Sequence, residues 1–154
     1  MNPNQDLKKR VIKAAQEYGI SNVIFRNTLG RKLGLNIADM ECLSLLMIKG
    51  ISTPTELARY TGLTTGSATA MLDRLEKAKL IKRNPNPKDR RGVLIEVNKE
   101  SIEIVGPLVA GVQKALRELV ASYSDKELET IASYLTRYTK NVNDQAEKIN
   151  KATV

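Results

Sequence analysis

Apolar residues recur every three or four positions over much of the chain, which is the period of a helix with one buried face. Residues 6 to about 33 predict a first helix, which Gly19 can kink or divide. After Gly34, Asn36 and Asp39 have the spacing of a helix cap. The helix that they begin is strongly apolar, so we expect it to be buried. Its apolar positions are Ile37, Met40, Cys42, Leu43, Leu45, Leu46 and Ile48.

Two shorter helices joined by a tight turn are predicted next. Thr53 and Glu56 can form a capping box, in which each side chain accepts from the other residue's backbone N–H. Gly62 can take the positive φ that a sharp turn requires. The second helix covers residues 65 to about 78 and turns one apolar stripe inward. That stripe consists of Ala68, Met71, Leu72 and Leu75. The pattern is typical of a helix-turn-helix, although an ordinary helical hairpin in a globular core would share it.

Residues 80–84 and 93–97 are strand-like, and the loop between them is rich in turn-forming residues. The loop carries one carboxylate, Asp89, which can orient an arginine. Its cations are Lys88, Arg90 and Arg91. An isolated charge run is usually a solvated surface. Here the loop directly follows a candidate recognition helix, so its position favours a wing whose arginines suit a narrow minor groove.

Two long helices are predicted after this hairpin. The first begins at Asn98 or Ser101, and Pro107 is expected to kink it. The second begins at a capping box formed by Ser124 and Glu127. Their near-continuous apolar stripes can pack onto their own domain or onto a second copy of the chain. Self-association has the further advantage that a two-fold dimer presents two recognition helices to successive major grooves.

The distribution of charge along the chain, rather than the net charge, indicates a class of partner. The chain of 154 residues has a formal charge of +8, and much of the excess is local. Between residues 64 and 91, eight cations accompany three carboxylates. A basic cluster on the element shaped for a groove is typical of nucleic-acid binding, so we expect double-stranded DNA as the partner.

Composition argues against catalysis. The chain has no histidine and one cysteine, Cys42, which leaves no Cys-His or Ser-His pair and no internal disulfide. We expect no enzymatic activity, no metal site and no cofactor. Cys42 is interpreted as a small buried hydrophobe rather than a redox switch, since no cation flanks it. The lack of an apolar signal or spanning segment predicts a soluble cytoplasmic protein with no membrane association.

The exposed face of the helix at 65–78 changes character along its length. Small and hydroxyl-bearing residues come first, where a helix backbone approaches bases, and charged residues follow, where phosphates pass. The residues assigned to base reading are Thr65, Ser67, Thr69 and Ala70. Those assigned to phosphates are Arg74, Lys77 and Lys88, and the wing arginines Arg90 and Arg91 complete the predicted DNA contacts.

Residues 63–77, 80–83 and 89–91 together resemble the MarR family of winged-helix transcriptional regulators. The most specific marks are the Asp-Arg-Leu-Glu sequence at 73–76 and the Asp-x-Arg sequence of the wing. The resemblance extends over nearly the whole chain. It implies that the helix at 65–78 enters the major groove and that Arg91 enters the minor groove, oriented by Asp89.

One position departs from this family pattern. Many members have an arginine or another long polar residue where Ala70 stands here. Base reading in this chain would then rest more on Thr65, Ser67 and Thr69, through water or through DNA shape.

The resemblance also implies a homodimer formed by N- and C-terminal helices. It further implies an effector, a small aromatic or phenolic compound bound between the winged unit and the dimerising helices. The candidate lining residues are Tyr18, Phe25, Arg26 and Met47. Since aromatic and methionine side chains at helical spacing are more often core than ligand site, core packing is the alternative interpretation of these residues.

The predicted fold class is mainly α with a small β-hairpin wing (α+β), a winged helix-turn-helix flanked by N- and C-terminal dimerisation helices. Residues 1–154 are expected to form a single domain, with the winged unit at about 35–98 and dimerisation helices at about 5–33 and 99–150. The predicted function is a ligand-responsive, sequence-specific repressor that binds a pseudo-palindromic operator as a homodimer. The alternatives are a helical dimeric adaptor that binds protein or RNA and a nonspecific architectural DNA-binding protein.

Overall fold

Helices dominate the computed structural model, which describes residues 3–152. Within these residues, six helices and three short strands follow one another in the order of a winged helix-turn-helix, which confirms the predicted fold class. The helices are α1 (Pro3–Leu33), α2 (Ile37–Lys49), α3 (Pro54–Thr61), α4 (Thr65–Lys77), α5 (Glu100–Ala121) and α6 (Asp125–Lys151). The strands are β1 (Ile51–Ser52), β2 (Ile81–Asn86) and β3 (Asp89–Val97).

The chain divides into two compact units at a boundary inside α5, between Leu108 and Val109. The first unit contains α1 to β3 and the first turns of α5. The second unit contains the rest of α5 and the whole of α6. In the first unit α1 runs without interruption through Gly19, so of the two predicted effects, a kink or a division, the division is wrong.

Helix α2 begins at the predicted cap. The backbone N–H of Asp39 donates to the side chain of Asn36 at 2.9 Å, and the Asn36 N–H donates to the Asp39 carboxylate at 3.0 Å. Most of the predicted apolar positions are buried, but Ile37 is 63% exposed and Ile48 is 84% exposed. These two predictions of burial are wrong. Ile37 is the first residue of a short helix and Ile48 is next to its last, so both lie away from its buried middle.

The three strands form one antiparallel sheet in the order β1-β3-β2, so β3 is central. Strand β1 was not predicted, since it consists of two residues, of which Ser52 lies opposite Ile95. Strands β2 and β3 extend further toward the hairpin tip than predicted, to the pair Asn86 and Asp89. Pro85 fits within β2 because an edge strand tolerates a residue without a backbone N–H.

The core of the first unit lies between α2, α3, α4 and the sheet. The predicted stripe of α4 is buried as expected, and Met71 and Leu75 have no exposed surface. Leu57 of α3 and Ile95 of β3 are also fully buried. The apolar face of α4 is therefore held against the unit while its opposite face stays in solvent.

The end of α4 is unusual in its residue type. Lys79 has a φ of 60°, in the left-handed region that usually favours glycine. Its N–H donates to the carbonyl of Glu76 at 2.9 Å, and the N–H of Leu80 donates to the carbonyl of Leu75 at 3.0 Å. These two bonds satisfy carbonyls that would otherwise be left unpaired at the helix end. They direct the chain from α4 straight into β2.

The outer helices leave much apolar surface exposed. Pro107 lies inside α5 as predicted. None of the described residues of α6 is buried, although this helix spans 27 residues. In α1, Leu7, Tyr18 and Ile24 are each more than half exposed. A helix that carries an apolar stripe gains most of its stability by burying that stripe.

Gly30 marks a close approach between α1 and α2. A Cβ at this position would lie 3.0 Å from the carbonyl oxygen of Leu35 and 3.1 Å from Cγ of Met40. The Leu35 backbone has little freedom to move away, because its N–H donates to the Gly30 carbonyl at 2.8 Å. Met40 is only 5% exposed, so its side chain is also confined.

We expect Gly30→Ala to lower the free energy of unfolding by about 1–3 kcal/mol, because the added methyl group overpacks this contact. Gly66→Ala is the matched control. It also adds a Cβ to a helical glycine, but at a position with no atom within 4 Å. That control should not lower the unfolding free energy, since its added Cβ meets no neighbouring atom and alanine is the better helix former. Urea unfolding at one protein concentration measures both, and equal effects of the two substitutions would contradict the close contact.

Candidate nucleic-acid interface

Both ends of α3 are formed by local interactions that the sequence indicated, a capping box at its start and a glycine turn at its end. The Thr53 N–H donates to the Glu56 carboxylate at 2.8 Å, and the Glu56 N–H donates to the Thr53 hydroxyl at 3.3 Å. These bonds from Thr53 lower the pKa of the Glu56 carboxyl. Gly62 has a φ of 67°, and the Leu63 N–H donates to the Ala58 carbonyl at 3.0 Å. The turn therefore has a defined geometry.

The first turns of α4 present short polar side chains to solvent. Thr65, Ser67, Thr69 and Ala70 are all exposed, as the predicted base-reading face requires. The Thr64 hydroxyl donates to the Ser67 hydroxyl at 3.1 Å, and the Thr69 hydroxyl donates to the Thr65 carbonyl at 3.0 Å. Because its proton is used inside the helix, the Thr69 hydroxyl offers an acceptor oxygen, beside the Thr69 methyl group, to cytosine amino groups and thymine methyl groups in a major groove. The Thr65 and Ser67 hydroxyls can either donate or accept at a base edge.

Arg74 lies further along the same helix and is engaged with a buried carboxylate. Its Nη2 donates to Oδ1 of Asp39 at 2.8 Å and its Nε donates to Oδ2 at 3.3 Å. The Asp39 side chain is 1% exposed and that of Arg74 is 46% exposed. The hydrogen bonds to Asp39 raise the pKa of the Arg74 guanidinium above its ordinary value. The structure thus places this predicted phosphate contact in an ion pair between α2 and α4.

A second charged connection, which was not predicted, joins α4 to β2. Arg83 donates through Nη2 to the Asp73 carboxylate at 2.6 Å and through Nη1 to the Glu76 carboxylate. Its side chain is only 29% exposed. Since β2 is one strand of the wing, Arg83 connects the wing to α4. Alternating polarity in a strand cannot show which charged residue turns toward a neighbouring helix.

The tip of the wing is exposed and its backbone is ordered by side chains. The Asp89 carboxylate accepts from the backbone N–H of Arg91 at 2.9 Å, and the Asn86 side chain accepts from the Lys88 N–H at 3.0 Å. Lys88, Arg90 and Arg91 are exposed. Asp89 therefore orders the chain at Arg91 through its backbone. Lys77, the remaining predicted phosphate contact, is exposed at the end of α4.

Cys42 lies in the core of the first unit with no exposed surface. Burial, aided by the nearby Asp39 carboxylate, raises the pKa of its thiol to about 12. Since the thiolate is the reactive form, this cysteine is not chemically poised for oxidation. Among residues 3–152 no cluster of metal-ligating side chains is present, and none of the described helices has the length and apolar character needed to cross a membrane.

Three of the four candidate effector residues lie on α1 and one, Met47, lies on α2. A cavity of about 490 Å³ lies at the junction of α1 and α2 and includes Arg26, Asn27, Ile37 and Met40 among its lining residues. Of the predicted residues only Arg26 lines it. Tyr18 and Met47 are each more than 60% exposed elsewhere on α1 and α2, and Phe25 is 37% exposed.

Comparisons with known proteins agree on one family. The sequence profile of the MarR family matches residues 35–93. The chain is 31% identical to the HTH-type transcriptional regulator YcgE of Bacillus subtilis, with 97% of both chains covered. It is 27% identical to the regulator MhqR of the same organism, over 71% of this chain and 76% of MhqR.

Solved structures give the same result for the fold. The crystal structure of YusO from Bacillus subtilis has a TM-score of 0.55 at 21% identity and covers 91% of this chain and 99% of YusO. The apo form of wild-type MarR from E. coli has a TM-score of 0.51 at 25% identity and covers 90% of this chain and 98% of MarR.

Proposed function

Because this chain belongs to the MarR family of DNA-binding transcriptional regulators, we propose that it is a sequence-specific repressor that binds a pseudo-palindromic operator as a homodimer. We further propose that a small aromatic or phenolic effector releases it from DNA. The relatives are transcriptional regulators rather than enzymes, which confirms the expected lack of catalytic activity.

One observation carries the proposal of sequence-specific binding. The short polar side chains of α4 and the arginines of the wing are exposed on the same unit, and Arg83 connects the two elements directly. A helix and a hairpin held in a defined relation can read a major groove and an adjacent minor groove together. Thr65, Ser67 and Thr69 would contact base edges, while Arg91 would enter the minor groove.

The remaining cations have a less specific role in this proposal. Lys77, Lys88 and Arg90 would contact phosphates and set the register of the protein on the duplex. Ala70 would pack against a base edge without adding a polar group. Arg74 differs from these residues, because Asp39 already holds its guanidinium.

Homodimerisation is supported by the exposed apolar faces of the outer helices. In α6, Leu135, Tyr138 and Val142 are between 44% and 49% exposed, and Leu116 and Leu119 of α5 are more than half exposed. We propose that the dimerisation helices, at about 5–33 and 99–150, pack against those of a second copy and so cover these apolar faces. The winged unit is the separate segment at about 35–98. A two-fold dimer would place two copies of α4 about one helical turn of DNA apart.

The effector proposal rests on the cavity between α1 and α2. Arg26 could pair with an aromatic carboxylate or phenolate, and Ile37 and Met40 offer apolar surface to a ring. The cavity lies beside Asn36, which caps α2. A ligand there would contact both α1, a proposed dimerisation helix, and the winged unit.

The proposed function is tested by selecting duplexes from a random-sequence pool with the wild-type protein. A competition gel shift at fixed salt then compares the selected duplex with random duplex. We expect a preference of about 1,000-fold or more, which is typical of sequence-specific proteins. A ratio near unity would instead identify a nonspecific architectural protein, and no DNA binding at all would favour an adaptor.

Arg91→Ala should lower the affinity for the selected duplex by about tenfold, because the arginine reads the narrow minor groove. Lys88→Ala is the matched control at the same tip. It should weaken selected and random duplexes alike and flatten the salt dependence by about one unit of slope. Fluorescence anisotropy over a salt series gives both quantities. Unchanged affinity of the Arg91 variant would remove the wing from the mechanism.

Benzoate and its hydroxylated derivatives should raise the thermal unfolding temperature of the wild-type protein if one of them fits the cavity. Arg26→Ala should abolish that increase, because it removes the cation that pairs with the carboxylate. Arg10→Ala, in α1 but outside the cavity, should leave the increase intact. An increase that survives in the Arg26 variant would place the ligand elsewhere, and no increase across the series would argue against an aromatic effector.

A further inference from the structure

Three of the four charged residues in the second half of α4 form ion pairs with other protein elements. Asp73 and Glu76 bind Arg83, and Arg74 binds Asp39. We propose that Asp39 and Arg74 are positioning residues for DNA recognition, whose ion pair fixes α4 on α2, and that Arg74 is not a phosphate contact. This inference rests on the proposed sequence-specific function, because it assigns the pair a role in reading DNA.

The geometry favours an internal role for Arg74. Two nitrogens of one guanidinium edge bind the two oxygens of one carboxylate, a pairing that combines strength with fixed direction. The Asp39 carboxylate is almost fully buried and also accepts from the Asn36 N–H. If Arg74 turned away to a phosphate, a buried carboxylate would lose its cation, which is strongly unfavourable.

The Asp39–Arg74 pair lies where a small rotation of α4 would affect DNA recognition. It joins the first turn of α2 to the last turn of α4, two points separated by 35 residues in the chain. The base-reading residues Thr65, Ser67 and Thr69 lie between one and three turns before Arg74 on the same helix. A rotation of α4 about its axis would therefore displace all of these side chains relative to the base edges.

Arg83 holds α4 from another side. It connects Asp73 and Glu76 to β2, so α4 is anchored to the wing as well as to α2. The apolar stripe between these anchors buries one face of α4 but gives little directional restraint, since apolar contacts are not directional. The three ion pairs formed through Arg74 and Arg83 supply the direction.

The two roles of Arg74 predict different results for Asp39→Asn. If Asp39 positions α4, this variant binds the selected duplex more weakly. If Arg74 contacts a phosphate and Asp39 merely restrains it, the variant binds as well as wild type or better. Asparagine retains a side-chain oxygen that can accept from the Asn36 N–H, so the cap of α2 can persist.

The experiment measures anisotropy of the full chain with the selected duplex and with random duplex over a salt series. We expect Asp39→Asn and Arg74→Gln each to lower the affinity for the selected duplex by about tenfold and to change that for random duplex by less than about twofold. The double variant should be no weaker than the weaker single variant, because both remove the same interaction. The salt slope should stay at the wild-type value.

Two further variants keep the test decisive. Arg74→Lys preserves the charge but not the paired geometry, so it should remain weak if the residue positions α4 and recover if it contacts a phosphate. Lys77→Gln, on the same helix, should lower the salt slope by about one unit, as a phosphate contact does. Circular dichroism and thermal unfolding of Arg74→Lys check that its weak binding is not unfolding.

The inference is overturned if Asp39→Asn binds the selected duplex as tightly as wild type, or if Arg74→Gln weakens all duplexes alike with a lower salt slope. A wild-type protein with no preference between selected and random duplex would overturn the proposed function itself. That outcome is read from the wild-type titration alone, before any variant is compared.

Discussion

The structure depends on holding one short helix by one face while its other face remains free. Helix α4 has 13 residues, a length that is marginal for an isolated helix in water. Its stability comes from the buried stripe that includes Met71 and Leu75. Its direction comes from charged contacts at Arg74 and Asp73, and its ends are formed by Thr64 and Lys79. The solvent-exposed face of α4 contributes little to the stability of the helix, so its residues are available for binding.

The local interactions of this fold could be predicted from the sequence. The caps at Asn36 and Thr53 and the turn at Gly62 all depend on residues within a few positions of one another, and the structure contains each of them. The buried stripe of α4 follows from helical periodicity alone. The fold class could be predicted because these local signals occur in a distinctive order along the chain.

Interactions between distant segments were not predictable in the same way. The pairing of Asp39 with Arg74 depends on how α2 crosses α4, and that of Arg83 depends on how β2 approaches α4. The exposed side chain of Ile48 was mispredicted for the same reason. The apolar character of a residue does not show whether another element of the fold covers it. For the candidate effector site, the family resemblance supplied four residues, and of these Arg26 lines the cavity that arises at the junction of two helices.

The missing side chain at Gly30 has a mechanical consequence. The backbones of α1 and the loop that leads to α2 are in van der Waals contact there, with a hydrogen bond across the contact from Leu35 to Gly30. At this point the backbone of α1 cannot come any nearer to the loop before α2. The hydrogen bond resists their separation, so a displacement of the C-terminal turn of α1 would tend to carry the start of α2 with it, including the carboxylate of Asp39.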